Sequence, residues 1–231
     1  MRFIGGKSLM LDNIISVLRE NTSNINTVAD IFSGSGIVAS CFKNAGFKVL
    51  SNDMMYFSYI LNRGSICLNK KPLFGNLKIK NPIEYFNNLE IQDTDFSIEQ
   101  CFIYNNYSPN ETCNRMYFQN KNAVKIDIIR LTIEDWHKKN LINDDEYFYL
   151  LASLISAIPY VSNITGIYAA YLKNWDIRTY NNLILKDIGI IESRKEHSAF
   201  NMDANELVKN ISVDLVYIDP PYNERDRKSV V

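Results

Sequence analysis

Histidine is almost missing from this chain: 231 residues contain only His137 and His197. The four cysteines (Cys41, Cys67, Cys101 and Cys113) stand far apart, and no two form a C-x-x-C pair. So few imidazoles and such scattered thiols argue against a zinc centre, and no metal is expected. No apolar run is long enough to span a bilayer, so no membrane partner is expected either. There is no secretory h-region. Unpaired cysteines without such a leader point to a reducing cytoplasm. An excess of either charge is also lacking, since 25 Lys and Arg face 26 Asp and Glu for a net charge of −1. A nucleic-acid binder of this composition would need a local basic cleft rather than a global positive field. Internal repeats are absent. What is present is ordinary for a globular protein, 46% hydrophobic and 22% charged, and long enough for one large α/β domain or a domain with a sizeable insertion.

The opening "MRFIGGKSLMLDNIISVLREN" predicts a Gly-Gly turn feeding a helix, with Leu9, Ile14, Ile15, Val17 and Leu18 on one face. "NINTVADIFSGSGIVASCFKNAG" predicts a buried strand, a glycine turn and a helix stopped at Gly46. "FKVLSNDMM" follows as a second strand ending at Asn52 and Asp53. Strand, helix and strand joined by tight turns make a βαβ unit, and hence a parallel sheet covered by helices. From about Asn69 to Asn120 periodicity is weak and the text is rich in Asn, Tyr and Phe. Ala123 to Lys139 predicts a helix, and "NDDEYFYLLASLISAI" another, with Asn143 as its cap and Pro159 ending or kinking it. After "ITGIYAAYLKNW" the sheet is expected to resume. "SAFNMDANELVKN" reads as strand then helix, and "VDLVYID" as a fourth strand. The fold class expected is therefore an α/β core split by a largely helical insertion, roughly residues 65–195.

"DIFSGSG" puts Gly34 and Gly36 where a strand turns into a helix. Glycines there let the backbone approach a ligand closely, and the helix N-terminus offers free N–H groups. Asp53 ends the next strand, where an acid can accept from ribose hydroxyls. Two ligand classes fit. Gly34-Ser35-Gly36-Ile37-Val38-Ala39 satisfies the dinucleotide pattern G-x-G-x-x-A. S-adenosylmethionine is the other, and Asp30 favours it, because a carboxylate suits a cationic amino-acid tail better than a pyrophosphate. A glycine-rich turn with no ligand at all is the third reading.

Asp219-Pro220-Pro221-Tyr222 interrupts the last strand. Asp-Pro alone is a common turn signal. The full tetrad, however, falls by chance in roughly one chain per thousand of this size. It also sits at the carboxyl edge of a parallel strand, where α/β sheets bind ligands. Methylation of an exocyclic amino group would use it. Such a nitrogen is a poor nucleophile, because its lone pair is delocalised into the ring. An acceptor from Asp219 and the carbonyl of Pro220 can hold both amino hydrogens and aim the lone pair at a methyl group. Pro220 and Pro221 stiffen the turn, and Tyr222 offers a face on which a base can stack. A base in a duplex would have to be flipped out to reach it.

With the glycine loop, Asp53 and the tetrad together, the chain resembles DNA adenine-N6 methyltransferases of the D12 (alpha-order) class. Arg2-Phe3-Ile4-Gly5-Gly6-Lys7 is similar to that family's opening motif, usually Lys-Trp-x-Gly-Gly-Lys, with Arg for Lys and Phe for Trp. The resemblance implies an S-adenosylmethionine-dependent methyltransferase (Rossmann-like) sheet. It implies cofactor contacts from Phe3, Lys7, Asp30, Phe32, Gly34, Gly36 and Asp53, with Asp203 as the acid on the adenine side. It implies catalysis by Asp219, Pro220, Pro221 and Tyr222 on double-stranded DNA with a flipped adenine. It further implies a target-recognition role for the insertion, and it admits a cognate restriction endonuclease in the same system. RNA as substrate, a dinucleotide-dependent oxidoreductase and a non-catalytic remnant remain as alternatives.

In that family further strands follow the tetrad, whereas here the sequence stops nine residues after Tyr222. GAT CGG AAG AGC GTC GTG, the start of a common sequencing adapter, would encode the tail Asp226-Arg227-Lys228-Ser229-Val230-Val231, so an untrimmed adapter is the expected origin of this tail and a native polar tail the alternative. The expected organisation is a catalytic core of residues 1–64 and 196–225, an insertion of 65–195, and a non-native tail of 226–231. The later strands of the sheet are expected to be missing.

Overall fold

The computed structural model describes residue 7, residues 9–164 and residues 170–220. These residues fall into two compact units. One contains the chain up to Pro72 and resumes at Ile188; the other is Leu73–Asp187.

The first unit opens with α1 (Leu11–Asn21), then β1 (Thr27–Asp30), α2 (Ile37–Asn44), β2 (Lys48–Asn52) and α3 (Tyr56–Arg63). The chain then enters the second unit. There α4 (Pro82–Asn88), two 3₁₀ turns and α5 (Phe102–Tyr107) precede two long helices, α6 (Asn120–Lys138) and α7 (Asp144–Ala157). It returns to the first unit for β3 (Ser198–Phe200), α8 (Ala204–Leu207) and β4 (Leu215–Tyr217).

All four strands are parallel, in the order β3-β2-β1-β4. The protein is thus an α/β protein with a four-stranded parallel sheet. Alternation along β1 sends its side chains to two cores. Val28 joins Val38, Ala39, Phe42 and Val49 under α1 and α2. Ala29 joins Ile31 and Leu207 on the opposite face, with Phe32, Leu50 and Phe200 packed around them. The register of β4 is set at its start by Asp214. Its Oδ2 accepts the backbone N–H groups of Asn26 and Thr27 and the Thr27 hydroxyl, each at 2.8 Å. β4 pairs with β1 on one side. Beyond that pairing Val216 is 40% and Ile218 62% exposed, high for apolar residues in a sheet of this kind.

In the second unit α6 buries Ala123, Ile126, Ile129, Ile133 and Trp136, the three- and four-residue spacing of an amphipathic helix. Trp136 stacks on Phe86 of α4 at 5.0 Å. Asn143 caps α7 as expected, in a reciprocal box: its side chain accepts from Glu146 N–H, and Glu146 Oε2 accepts from Asn143 N–H. The α-helix ends at Ala157, and Pro159 sits in the 3₁₀ turn that follows.

The stretch from Asn69 to Asn120 contains ordered elements, but α4 and α5 are seven and six residues long. Neither is long enough to print a 3.6-residue period on the sequence. The sheet resumes at β3 (Ser198–Phe200), where the strand in "SAFNMDANELVKN" is expected. Around Leu183 and Leu185 the chain buries alternate residues as a strand would. Its amides are met by side chains instead: Leu183 N–H donates to Asn122 Oδ1 (3.0 Å) and Leu185 N–H to Asn87 Oδ1 (2.8 Å). Among the described residues no helix is long and apolar enough to cross a membrane.

Candidate active site

β1 lies between β2 and β4, and its last residue, Asp30, is level with Ser51 on one side and Tyr217 on the other. β2 and β3 extend from one side of β1 and β4 from the other, so the winding of the sheet reverses here. Open α/β sheets bind ligands outside the carboxyl ends of their strands at such a point.

The turn after β1 is built on left-handed glycines, Gly34 at φ 51° and Gly36 at φ 78°. A Cβ added to Gly36 would lie 2.8 Å from Asn62 Oδ1, so a side chain is excluded by space as well as by φ. The turn is strapped to its neighbours. The Ser33 N–H and hydroxyl both donate to the Asn52 carbonyl (2.8 and 2.9 Å). Gly34 N–H donates to Asp53 Oδ2 (2.8 Å), and Asn62 Nδ2 donates to the Gly34 carbonyl (3.3 Å). The second Asp53 oxygen accepts Met55 N–H (2.9 Å) at the start of α3. Each carboxylate oxygen has two lone pairs, so Asp53 can still accept from a ligand hydroxyl.

Asparagines tie in the loop after β3. Asn52 Nδ2 donates to the Ile31 and Met202 carbonyls, both at 3.1 Å, and Asn52 Oδ1 accepts Met202 N–H. Asn201 Nδ2 donates to the carbonyls of Asp53 (2.8 Å) and Met54 (2.9 Å). Asp203 ends this loop, and its Oδ1 caps α8 by accepting Asn205 N–H at 2.8 Å.

Asp30 is the electrostatic centre. It is 1% exposed, and its Oδ1 is buried without a hydrogen-bond partner. Burial pushes its carboxyl up to about 7; the Phe32 amide opposes this, the Asp53 and Asp219 carboxylates reinforce it, and the Ala39 amide opposes it again. Asp219 follows β4 by two residues, and its Oδ1 lies 3.2 Å from Lys7 Nζ, with both side chains partly buried.

Of the residues singled out in the sequence, Lys7, Asp30, Gly34, Gly36, Asp53, Asp203 and Asp219 thus lie in the first unit, on the β1 turn or the strand ends or paired with a strand-end acid. Pro220 is exposed at the same edge. The Phe32 ring is partly buried against the Ala29, Ile31 and Leu207 cluster, so what Phe32 turns toward Asp30 is its backbone amide. Phe3, Pro221 and Tyr222 lie outside the described residues, as do Arg2, Ile4, Gly5, Gly6 and the tail 226–231.

Asn52, Asn62 and Asn201 escaped the sequence reading. The one signal for them was a polar amide beside a candidate acid or inside the apolar pattern of α3. His197, by contrast, is structural. Its Nδ1 accepts Val49 N–H (3.1 Å), and burial, then the Lys43, Lys195 and Lys48 cations, push it down to about 4.

A family model of the D12 class N6 adenine-specific DNA methyltransferases matches residues 3–231. The chain is 46% identical over 229 residues to the type II methyltransferase M.FokI of Planomicrobium okeanokoites, covering 97% of this chain and 35% of that protein. It is 44% identical to the modification methylase StsI of Streptococcus sanguinis, covering 99% of this chain and 35% of that one. To the type II methyltransferase M.NlaIII of Neisseria lactamica it is 35% identical, over 97% of this chain and 65% of the relative. The chain therefore spans about a third of the length of the first two relatives. With the family's model matched across nearly its whole length, the chain belongs to the D12 class of N6 adenine-specific DNA methyltransferases.

Proposed function

We propose that this chain is the cofactor-binding and catalytic part of an S-adenosylmethionine-dependent enzyme that methylates adenine N6 at a specific DNA sequence. The observation that carries this reading is the buried, unpartnered Asp30 oxygen beside the glycine turn, in a chain of this family. A buried carboxylate oxygen without a donor is an acceptor waiting for a cation. The ammonium of S-adenosylmethionine is such a cation. A dinucleotide pyrophosphate would instead meet Asp30 with Asp53 and Asp219 close by, and like charges at that distance repel.

Asp30 would take the ammonium, Gly34 and Gly36 would admit the ligand against the backbone, and Asp53 would take ribose hydroxyls. Asp203, already fixed as a helix cap, is the candidate on the adenine side. The bound cofactor supplies an electrophilic methyl group. Asp219 and the Pro220 carbonyl would accept the two hydrogens of the target amino group. That holds the nitrogen in line and disperses the positive charge it gains as the new bond forms. Pro221 and Tyr222 extend the same motif, with Tyr222 as the stacking face. Phe3 would pack on the cofactor side.

We assign the sheet unit to cofactor binding and catalysis within a Rossmann-like fold, and Leu73–Asp187 to target recognition. The exposed Val216 and Ile218 beside β4 support further strands of the sheet in the whole protein. A cognate restriction endonuclease is the partner that the type II relatives suggest. Tritiated methyl transfer from S-adenosylmethionine, offered DNA and RNA separately, tests the reading. Label is expected in DNA as N6-methyladenine; label confined to RNA, or none in either polymer, would overturn it.

A further inference from the structure

We infer that Lys7 is a positioning residue for the reaction: its ammonium holds the Asp219 carboxylate ionised and oriented among neighbouring acids. This rests on the function proposed above but assigns Lys7 to the catalytic acid rather than to the cofactor.

Asp30, Asp53 and Asp219 stand at or just past the carboxyl ends of three adjacent strands, β1, β2 and β4. Asp53 and Asp219 both make Asp30 harder to ionise. A cluster of this kind left to itself protonates one member, as carboxylates sharing a site do. For amino-methyl transfer Asp219 cannot be that member. A protonated carboxyl would turn a donor toward the amino group and lose the charge that stabilises the developing cation.

Lys7 meets this need. Its Nζ lies 3.2 Å from Asp219 Oδ1, with 18% and 26% of the two side chains exposed, so the pair is partly shielded from water. The contact is to one oxygen. An ammonium held at Oδ1 restrains the carboxylate and leaves Oδ2 as the oxygen to accept a target amino hydrogen. Lys7, from ahead of α1, and Asp30, from the end of β1, both face Asp219. Asp53 faces Asp30 from β2. Removing Lys7 takes this ammonium away from the Asp219 carboxylate.

The sign follows. Loss of an opposite charge raises a carboxyl pKa, by about 1–3 units for a close pair. Activity that needs ionised Asp219 then disappears at higher pH as the solution is acidified. Lys7→Gln should lower kcat and move the acid limb of the pH profile upward by about one unit or more. Affinity for S-adenosylmethionine should change less than about threefold, and Lys7→Arg should restore both the rate and the limb. A ¹³C NMR titration of the Asp219 carboxyl, assigned with Asp219→Asn, reads the same shift without any turnover. It therefore stands even if adenine proves not to be the acceptor. An unmoved Asp219 midpoint in Lys7→Gln would overturn the inference. So would an unchanged acid limb accompanied by a tenfold or greater loss of cofactor affinity, which would make Lys7 a cofactor contact instead.

Discussion

Replacing Asp30 with asparagine keeps the shape of the side chain and removes its titration. In the native protein the carboxyl is 1% exposed and pushed up to about 7, against 3.8 for an ordinary aspartate. Below pH 4 both folded and unfolded chains hold the proton, and the group is neutral in the balance. Between pH 4 and 7 the unfolded chain has lost the proton that the folded chain retains, so stability falls as pH rises. Above pH 7 the full penalty of ionising this buried carboxyl applies, of order 4 kcal/mol. Most of that difference, about 3 kcal/mol, develops between pH 5 and pH 8.5. For a chain of this size it corresponds to a relative shift of roughly 6–12 °C in Tm. Thermal or urea unfolding of both proteins at the two pH values should show Asp30→Asn gaining on the native chain at pH 8.5. The same variant should bind S-adenosylmethionine about 100-fold more weakly or worse, because the ligand ammonium loses its buried counter-charge. More stable at alkaline pH and unable to hold the cofactor is the joint signature. A stability difference independent of pH, or cofactor affinity within a few-fold of native, would refute the assignment of Asp30.

Gly36→Ala places a Cβ at φ 78° and 2.8 Å from Asn62 Oδ1, so it should cost about 1–2 kcal/mol or more in urea unfolding. It should also weaken cofactor binding, while Gly75→Ala, where a Cβ meets nothing within 4 Å, should do neither. Asn143→Ala removes the side-chain half of the α7 capping box, the acceptor for Glu146 N–H, and should cost about 1 kcal/mol, read as a lower urea midpoint with cofactor affinity unchanged.

The parts of the fold legible in the sequence are those whose signal is local and repeated. The Gly34 and Gly36 turn between β1 and α2, the long apolar face of α6, the Asn143 cap and the strand before Asp219 each declare themselves within a dozen residues. Short elements do not. α4 and α5 complete fewer than two turns, so their burial depends on partners distant in sequence. The extended run through Leu183 and Leu185 has the alternation of a strand, and only the structure reveals that asparagine side chains of α4 and α6 take the place of a neighbouring strand.

The site divides in the same way. Asp30, Asp53 and Asp219 follow from their positions at strand ends. The straps from Asn52, Asn62 and Asn201 do not, because an asparagine that bridges two loops looks in sequence like any polar residue in a turn. Lys7 was legible as part of a motif, yet its pairing with Asp219 joins residues from opposite ends of the chain and appears only once the sheet is assembled.

The most direct measurement is methyl transfer by Asp219→Ala beside the native protein. Both are given tritiated S-adenosylmethionine and duplex DNA, the DNA is digested to nucleosides, and cofactor binding is measured in parallel by calorimetry. The native protein should produce N6-methyldeoxyadenosine, and the variant should bind cofactor normally but leave adenine unmethylated. Undiminished N6-methyldeoxyadenosine from Asp219→Ala would contradict the account.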